Sequence, residues 1–159
     1  MAPEVPANEW LIRECVQRDI RVSAGHTAAT YAQMRLAVQR GVRQVTHCFN
    51  AMTGLAQREP GTVGAALTLS EILCELICDN VHVHPAVVQI LVQMKGPGGV
   101  ILITDAVRGA GLPAGAEYRL GERKVVIGDG AAQVARGEVA TPKTGVKQVV
   151  LSRVRNHVR

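Results

Sequence analysis

The sequence predicts an α/β fold built on parallel strands, and three observations carry that prediction. Four short, largely apolar runs recur, at residues 20–24, 43–46, 74–78 and 100–104. Around and between them lie stretches with apolar residues at helical spacing, at 9–19, 28–40 and 85–95. Each run stops at a group that can bind a metal or move a proton: His26, His47, Asp79 followed by His82, and Asp105. Alternating strand and helix imply parallel pairing with right-handed crossovers. Four such units are half of an eight-stranded barrel; an open four-stranded sheet satisfies the same pattern. In either case the carboxyl ends of the strands share one face, and that face carries the chemistry.

The elements follow in order. Pro3 and Pro6 resist helix, so residues 2–7 read as an extended lead-in. Asn8 is placed to cap a helix over 9–19, with Trp10, Leu11, Cys15 and Val16 on one side. Thr27 is placed to cap the helix over 28–40, whose inner face is Tyr31, Met34, Ala37 and Val38, and Gly41 stops it. Residues 50–70 hold Gly54, Pro60, Gly61 and Gly64 and read as loop and broken helix, a long connection of the kind that carries function. The run 74–78 is apolar but for Glu75. Pro85 opens a helix to 95, which Gly96-Pro97-Gly98-Gly99 closes.

After residue 111 the pattern changes. Short strands at 118–120, 124–127 and 131–135, with turns at Gly121-Glu122 and Gly128-Asp129-Gly130, predict a small antiparallel β layer over 112–140. The end, 141–159, carries Lys143, Lys147, Arg153, Arg155 and Arg159 with few core anchors and reads as a divergent, solvated basic tail.

Composition bounds the rest. The 159 residues suit one domain with a subdomain, 1–111 and then 112–140. Hydrophobic residues make up 47% and aromatics 3%, so the core must be aliphatic. The net charge of +5 comes without aromatic interleaving or a long basic run before the tail, which speaks for an anionic small substrate over nucleic acid. Cys15, Cys48, Cys74 and Cys78 form no Cys-x-x-Cys pair and read as reduced thiols of a cytoplasmic protein. Residues 1–7 lack the pattern of a secretory signal, and no apolar run approaches the ~20 residues of a membrane span.

Two imidazoles at neighbouring strand ends, His26 and His47, can share one divalent ion, most readily Zn²⁺; histidines hydrogen-bonded at a sheet rim give the same sequence. Asp105 at a strand end can move a proton to and from a metal-activated water, or simply cap a loop. His82 and His84 form a His-x-His pair, but Pro85 turns the chain away, which leaves His82 as a substrate donor and His84 at the surface. Backbone N–H groups at Asn50 and Ala51, with the Arg58 guanidinium, can hold a phosphate; Arg58 beside Glu59 also suits a surface ion pair. No Walker-type loop, nucleophile elbow or zinc-finger spacing is present.

Five segments together, Ser23-Ala24-Gly25-His26-Thr27-Ala28-Ala29-Thr30-Tyr31, Val45-Thr46-His47-Cys48-Phe49-Asn50-Ala51-Met52, Arg58-Glu59-Pro60-Gly61, Asp79-Asn80-Val81-His82 and Thr104-Asp105-Ala106, resemble the N-acetylglucosamine-6-phosphate deacetylases of the amidohydrolase superfamily. The likeness runs in order through residues 2–140. It implies a metal-dependent hydrolase of N-acetylglucosamine 6-phosphate, with about the second half of a (β/α)8 TIM barrel and a small β-sandwich portion. It implies His26 and His47 as metal ligands, with zinc the expected ion, and Asp105 as the acid/base. It implies Asn50, Ala51 and Arg58 at the phosphate. His82, with Asp79, Asn80 and Val81 before it, matches the segment contacting substrate. In the family the arginine can serve the neighbouring subunit, which implies a homodimer; neither nucleic acid nor membrane is an expected partner.

Two departures accompany the resemblance. The family's glutamate metal ligand lies upstream of anything in this chain, so the likeness starts mid-barrel at Ala2-Pro3-Glu4. At Thr141-Pro142-Lys143 it stops, as it would in a gene fragment or a shifted reading frame. Half a barrel leaves strand edges unpaired, so the isolated chain is expected to be weakly stable or to self-associate, with little deacetylase activity. A non-catalytic sugar-phosphate module and an inactive remnant are the competing readings.

Overall fold

The computed structural model describes residues 1–120, 123–127, 132–134 and 139–141. These fall into two compact units. One comprises Met1–Leu76 with Ala86–Ile103, the other Ile77–Pro85 with the residues from Thr104 onward.

The first unit holds a four-stranded sheet in the order β1 (Val22–Ala24), β2 (Val42–Val45), β3 (Leu73–Ile77) and β4 (Val100–Ile103). β1 pairs with β2 and β2 with β3 in parallel, with Ala24 opposite Val45 and Val45 opposite Cys74. Strand order therefore follows chain order, as the alternation of elements predicts. Val22, Ala24, Val42, Val45, Cys74 and Leu76 are fully buried, and Ile12, Met34, Ile72 and Leu91 fill the space around them. The core of this unit is aliphatic, as a chain so poor in aromatics requires. The residues of β4 are half-buried, and Leu102 is exposed.

The helices depart from the sequence reading at their starts. Asn8 does not cap α1 (Glu9–Gln17). It has helical backbone angles, ends a 3-10 turn over Pro6–Asn8, and donates its side-chain N–H to the Ala2 carbonyl at 2.8 Å. The buried residue of α1 is Ile12, while Trp10 is 62% exposed. The helical period holds but its phase differs. α2 (Tyr31–Gln39) starts three residues later than expected. Thr30, not Thr27, caps it, in a reciprocal box with Gln33: the Thr30 Oγ1 accepts from the Gln33 N–H at 3.2 Å, and Gln33 Oε1 accepts from the Thr30 N–H at 2.9 Å. Met34, Ala37 and Val38 face inward as expected. Gly41 ends the turn at φ +106°, where a side chain would strike Val16.

The glycine-rich stretch read as broken helix contains α3 (Gly61–Thr68), with Gly61 through Leu67 buried. Small residues here allow close packing, so what reads as breaker is the means of burial. α4 spans Pro85–Lys95 as predicted, with Gly96 at φ +65° behind it.

The second unit carries an antiparallel sheet of β5 (Glu117–Leu120), β6 (Arg123–Ile127), β7 (Ala132–Val134) and β8 (Val139–Thr141). Tyr118 lies opposite Val125, and Val125 opposite Val134. Val125 and Ile127 form its core with Ala116 and Tyr118. β8 has no counterpart in the sequence reading. The expected turns at 121–122 and 128–130 and the basic tail from 142 lie outside the described residues.

Candidate active site at the strand ends

Two residues past the end of β1 stands His26; two past β2, His47; two past β4, Asp105. All three have positive φ, at +47°, +35° and +48°. Non-glycine residues seldom occupy that region, and the few that do cluster where the fold holds a side chain for use.

The exits of β1 and β2 are tied together. The Thr46 N–H donates to the Ala24 carbonyl at 2.8 Å, and the Ser23 and Thr46 hydroxyls are 2.6 Å apart. Gly25 is required between them: a Cβ there would lie 2.8 Å from the Thr46 Cβ. The terminal amine of Met1 donates to the Ser23 carbonyl at 2.7 Å, and the Met1 carbonyl accepts from the Gly25 N–H at 3.2 Å. With both exits fixed, the imidazoles of His26 and His47 meet edge to face, their centroids 4.8 Å apart at 79°. His26 is exposed and His47 is buried.

His47 Nδ1 has no hydrogen-bond partner although it is buried. Such a nitrogen costs about 1–3 kcal/mol if left unsatisfied. Glu75 anchors the loop that carries it. Its carbonyl accepts from the Cys48 N–H at 2.7 Å, and its carboxylate accepts from the His47 N–H at 3.4 Å and from the Gln44 side chain. Sequence reasoning gives Glu75 no role, yet its signal is visible: it is the one charge in an apolar run.

Behind the loop, the Cys48 thiol is pushed well above its ordinary pKa by its hydrogen bond with Cys74 and by burial. Both thiols are buried, and all four cysteines are free. Asn50 is committed to its own loop, donating its side-chain amide to the His47 and Cys48 carbonyls at 3.2 and 3.3 Å. Ala51, at φ +49°, gives its carbonyl to the Thr27 N–H at 3.1 Å. Arg58 is exposed and forms no ion pair among the described residues. Glu59 does not pair with it. The Glu59 carboxylate instead accepts from the Tyr31 and Gly61 N–H groups at 2.8 and 2.9 Å, which hold its pKa below the usual range.

In the second unit, Asp79, Asn80, Val81 and His82 form a tight turn. Asp79 Oδ1 accepts from the Val81 and His82 N–H groups, each at 2.9 Å, and Oδ2 lies 2.7 Å from His82 Nδ1. Burial raises the Asp79 pKa, but these bonds outweigh it and leave the carboxyl below its ordinary value. Asn80 sits at φ +65°, and Val81 is exposed. Asp105 is exposed. His84 is exposed just ahead of Pro85. The structure thus forms the His26–His47 pair within one unit and the Asp79–His82 pair within the other.

The fit to a metal follows from the first pair. Two adjacent imidazoles and an orphaned buried ring nitrogen suit a divalent ion, yet no cluster of three His, Cys, Asp or Glu side chains exists among the described residues. A catalytic zinc ordinarily takes three protein ligands.

No family model matches the chain. Among curated proteins, it is 40% identical over 140 residues to an N-acetylglucosamine-6-phosphate deacetylase of Lysinibacillus sphaericus, covering 88% of this chain and 36% of that one. It is 40% identical over 154 residues to an N-acetylgalactosamine-6-phosphate deacetylase of Escherichia coli O157:H7, covering 97% and 40%. The crystal structure of the N-acetylglucosamine-6-phosphate deacetylase of Thermotoga maritima matches with a TM-score of 0.88 at 35% identity, over 99% of this chain and 42% of that one. A Mycobacterium smegmatis deacetylase in complex with N-acetyl-D-glucosamine 6-phosphate matches at 0.85 and 37% identity, over 90% and 38%. The chain therefore spans about two-fifths of the length of the relatives it matches.

Proposed function

From the premise that this chain belongs with the N-acetylglucosamine-6-phosphate deacetylases, of which it spans a part, we propose that it carries part of the site that hydrolyses the acetamide of N-acetylglucosamine 6-phosphate to glucosamine 6-phosphate and acetate. The single observation that carries the reading is the His26–His47 pair: adjacent strand ends, the same offset, the same left-handed backbone, and a buried ring nitrogen with no partner. On this reading the four strands are about half of a (β/α)8 barrel, and the site is completed by chain outside the described residues.

His26 and His47 are the residues that hold a divalent ion, most readily Zn²⁺, together with a third ligand that these residues do not supply. When bound, the ion supplies Lewis acidity toward the amide carbonyl. Asp105 takes a proton from the attacking water and returns it to the nitrogen as the C–N bond breaks, so acetate and a free amine leave. Ala51 and Arg58 are the phosphate-side donors, with Asn50 holding the loop that presents them. His82 contacts the substrate near the reacting amide. An arginine that serves a neighbouring copy makes a homodimer the expected assembly.

The test is acetate release from N-acetylglucosamine 6-phosphate by the chain, alone and mixed with the leading segment of the Thermotoga maritima deacetylase. We expect little turnover alone, turnover on mixing, and a loss of about 10²–10⁴-fold in kcat for Asp105→Asn in the mixture. Ordinary turnover by the chain alone would remove the need for a completing segment. Sugar-phosphate retention with no turnover in either case favours the binding-module reading, in which Asp105→Asn leaves affinity unchanged.

A further inference from the structure

We propose that Asp79 is a positioning residue: it does not touch the ligand but fixes the tautomer and the direction of the His82 ring. Oδ1 is shared by the Val81 and His82 N–H groups at 2.9 Å each, and Oδ2 is 2.7 Å from His82 Nδ1. An ionised carboxylate only accepts, so the ring nitrogen it meets must carry the hydrogen. His82 is thereby held with Nδ1 protonated, and in the neutral ring Nε2 is left bare, so the ring meets a ligand as an acceptor and not as the donor expected from its place in the sequence. The His82 side chain is 8% exposed, so the ring has little freedom to turn and exchange its two nitrogens. The same carboxylate sets the backbone of the turn, so ring and main chain are oriented by one residue. A carboxylate that orients a working histidine from behind recurs in hydrolytic sites and beside metal ligands.

That His82 meets a ligand rests on the function proposed above; the role of Asp79 toward His82 does not. The experiment separates the two. Two-bond ¹⁵N–¹H correlations on the full chain distinguish a bare ring nitrogen from a protonated one. We expect the His82 ring of the native chain as the Nδ1–H tautomer. In Asp79→Asn the side-chain oxygen stays with the two backbone N–H groups, and the amide then donates to Nδ1, so the ring should invert to Nε2–H. A native ring already in the Nε2–H form, or one averaging between tautomers, overturns the proposal without any variant. So does an Asp79→Asn chain that keeps the native turn and the native tautomer. Adding N-acetylglucosamine 6-phosphate completes the test. A shift of Nε2 in the native chain that is lost in Asp79→Asn supports both statements. Inversion of the tautomer with no ligand-induced shift in the native chain supports the role of Asp79 and removes His82 from the substrate contacts.

Discussion

The loops that leave β2 and β3 each present a histidine, and they hold it in opposite ways. His47 is fixed by packing against His26 and by the Glu75 anchors on its main chain, and its Nδ1 faces no partner. His82 has its Nδ1 taken by Asp79 at 2.7 Å. The first arrangement keeps a buried nitrogen in reserve at a cost of about 1–3 kcal/mol; the second uses one nitrogen to aim the other. Reserve suits a ligand to a cation, and aiming suits a contact to substrate. On the function proposed above, the difference gives the two histidines different work although the sequence places both after a strand.

Zinc affinity breaks this comparison most directly. His47→Ala should lower retention of Zn²⁺ by roughly 100-fold or more, about 3 kcal/mol, as should His26→Ala, while His82→Ala leaves it unchanged. Equilibrium dialysis of the chain measures it. Equal losses from His47 and His82 would mean that the spare nitrogen is no guide to the metal side.

The two loops should also fail at opposite ends of the pH scale. Asp79 is held below its ordinary 3.8, so the stability it contributes is present above that value and fades as pH falls below it. Cys48 is held above its ordinary 9.0, so its contribution is present below 9.0 and fades as pH rises beyond. Urea unfolding across pH should show Cys48→Ala flattening part of the alkaline limb and none of the acid one, since burial also raises Cys78 while the hydrogen bond from Cys48 lowers Cys74. Asp79→Asn should flatten part of the acid limb, since Glu4, Glu59 and Glu71 are also depressed and share it. A Cys48→Ala chain with an unchanged alkaline limb would remove the buried thiol as its source.

What could be read from the sequence followed from local chemistry. The strand and helix order, the aliphatic core, the Pro85 start of α4 and the pairing of His26 with His47 rest on periodicity, composition and equal offsets from strand ends. What could not be read depends on contacts distant in sequence. Thr27 looks like a cap until Glu4 is seen accepting its hydroxyl at 2.5 Å, which leaves Thr30 to start α2. Trp10 looks like core, yet the packed side of α1 carries Ile12 and leaves Trp10 outside. Asn50 looks like a phosphate donor through its main-chain N–H, yet that N–H goes to the His47 carbonyl at 3.0 Å, and its side-chain amide is likewise taken by carbonyls of its own loop. The left-handed backbone at His26, His47 and Asp105 has only a weak sequence signature: histidine and aspartate enter that region more readily than most residues, but most of them at strand ends do not.

The smallest expected effect sharpens the comparison at a single backbone angle. Ala51 and Asn80 are both left-handed, at φ +49° and +65°, one in each loop. Left-handed backbone costs an L-residue such as alanine about 1–2 kcal/mol, whereas asparagine is tolerated there by local hydrogen bonding. Glycine relieves the strain but gives back roughly 0.5–1 kcal/mol in unfolded-chain entropy. Ala51→Gly should therefore raise stability by about 0.5–1 kcal/mol, and Asn80→Gly should stay within a few tenths of neutral. Because Ala51 gives only its main chain to the loop, the gain should come without loss of sugar-phosphate retention. Thermal unfolding of the two variants side by side decides it. A loss of stability in Ala51→Gly would mean that the loop after β2 is not strained at that residue. The left-handed angles at its histidine would then need an explanation other than a backbone held under load for function.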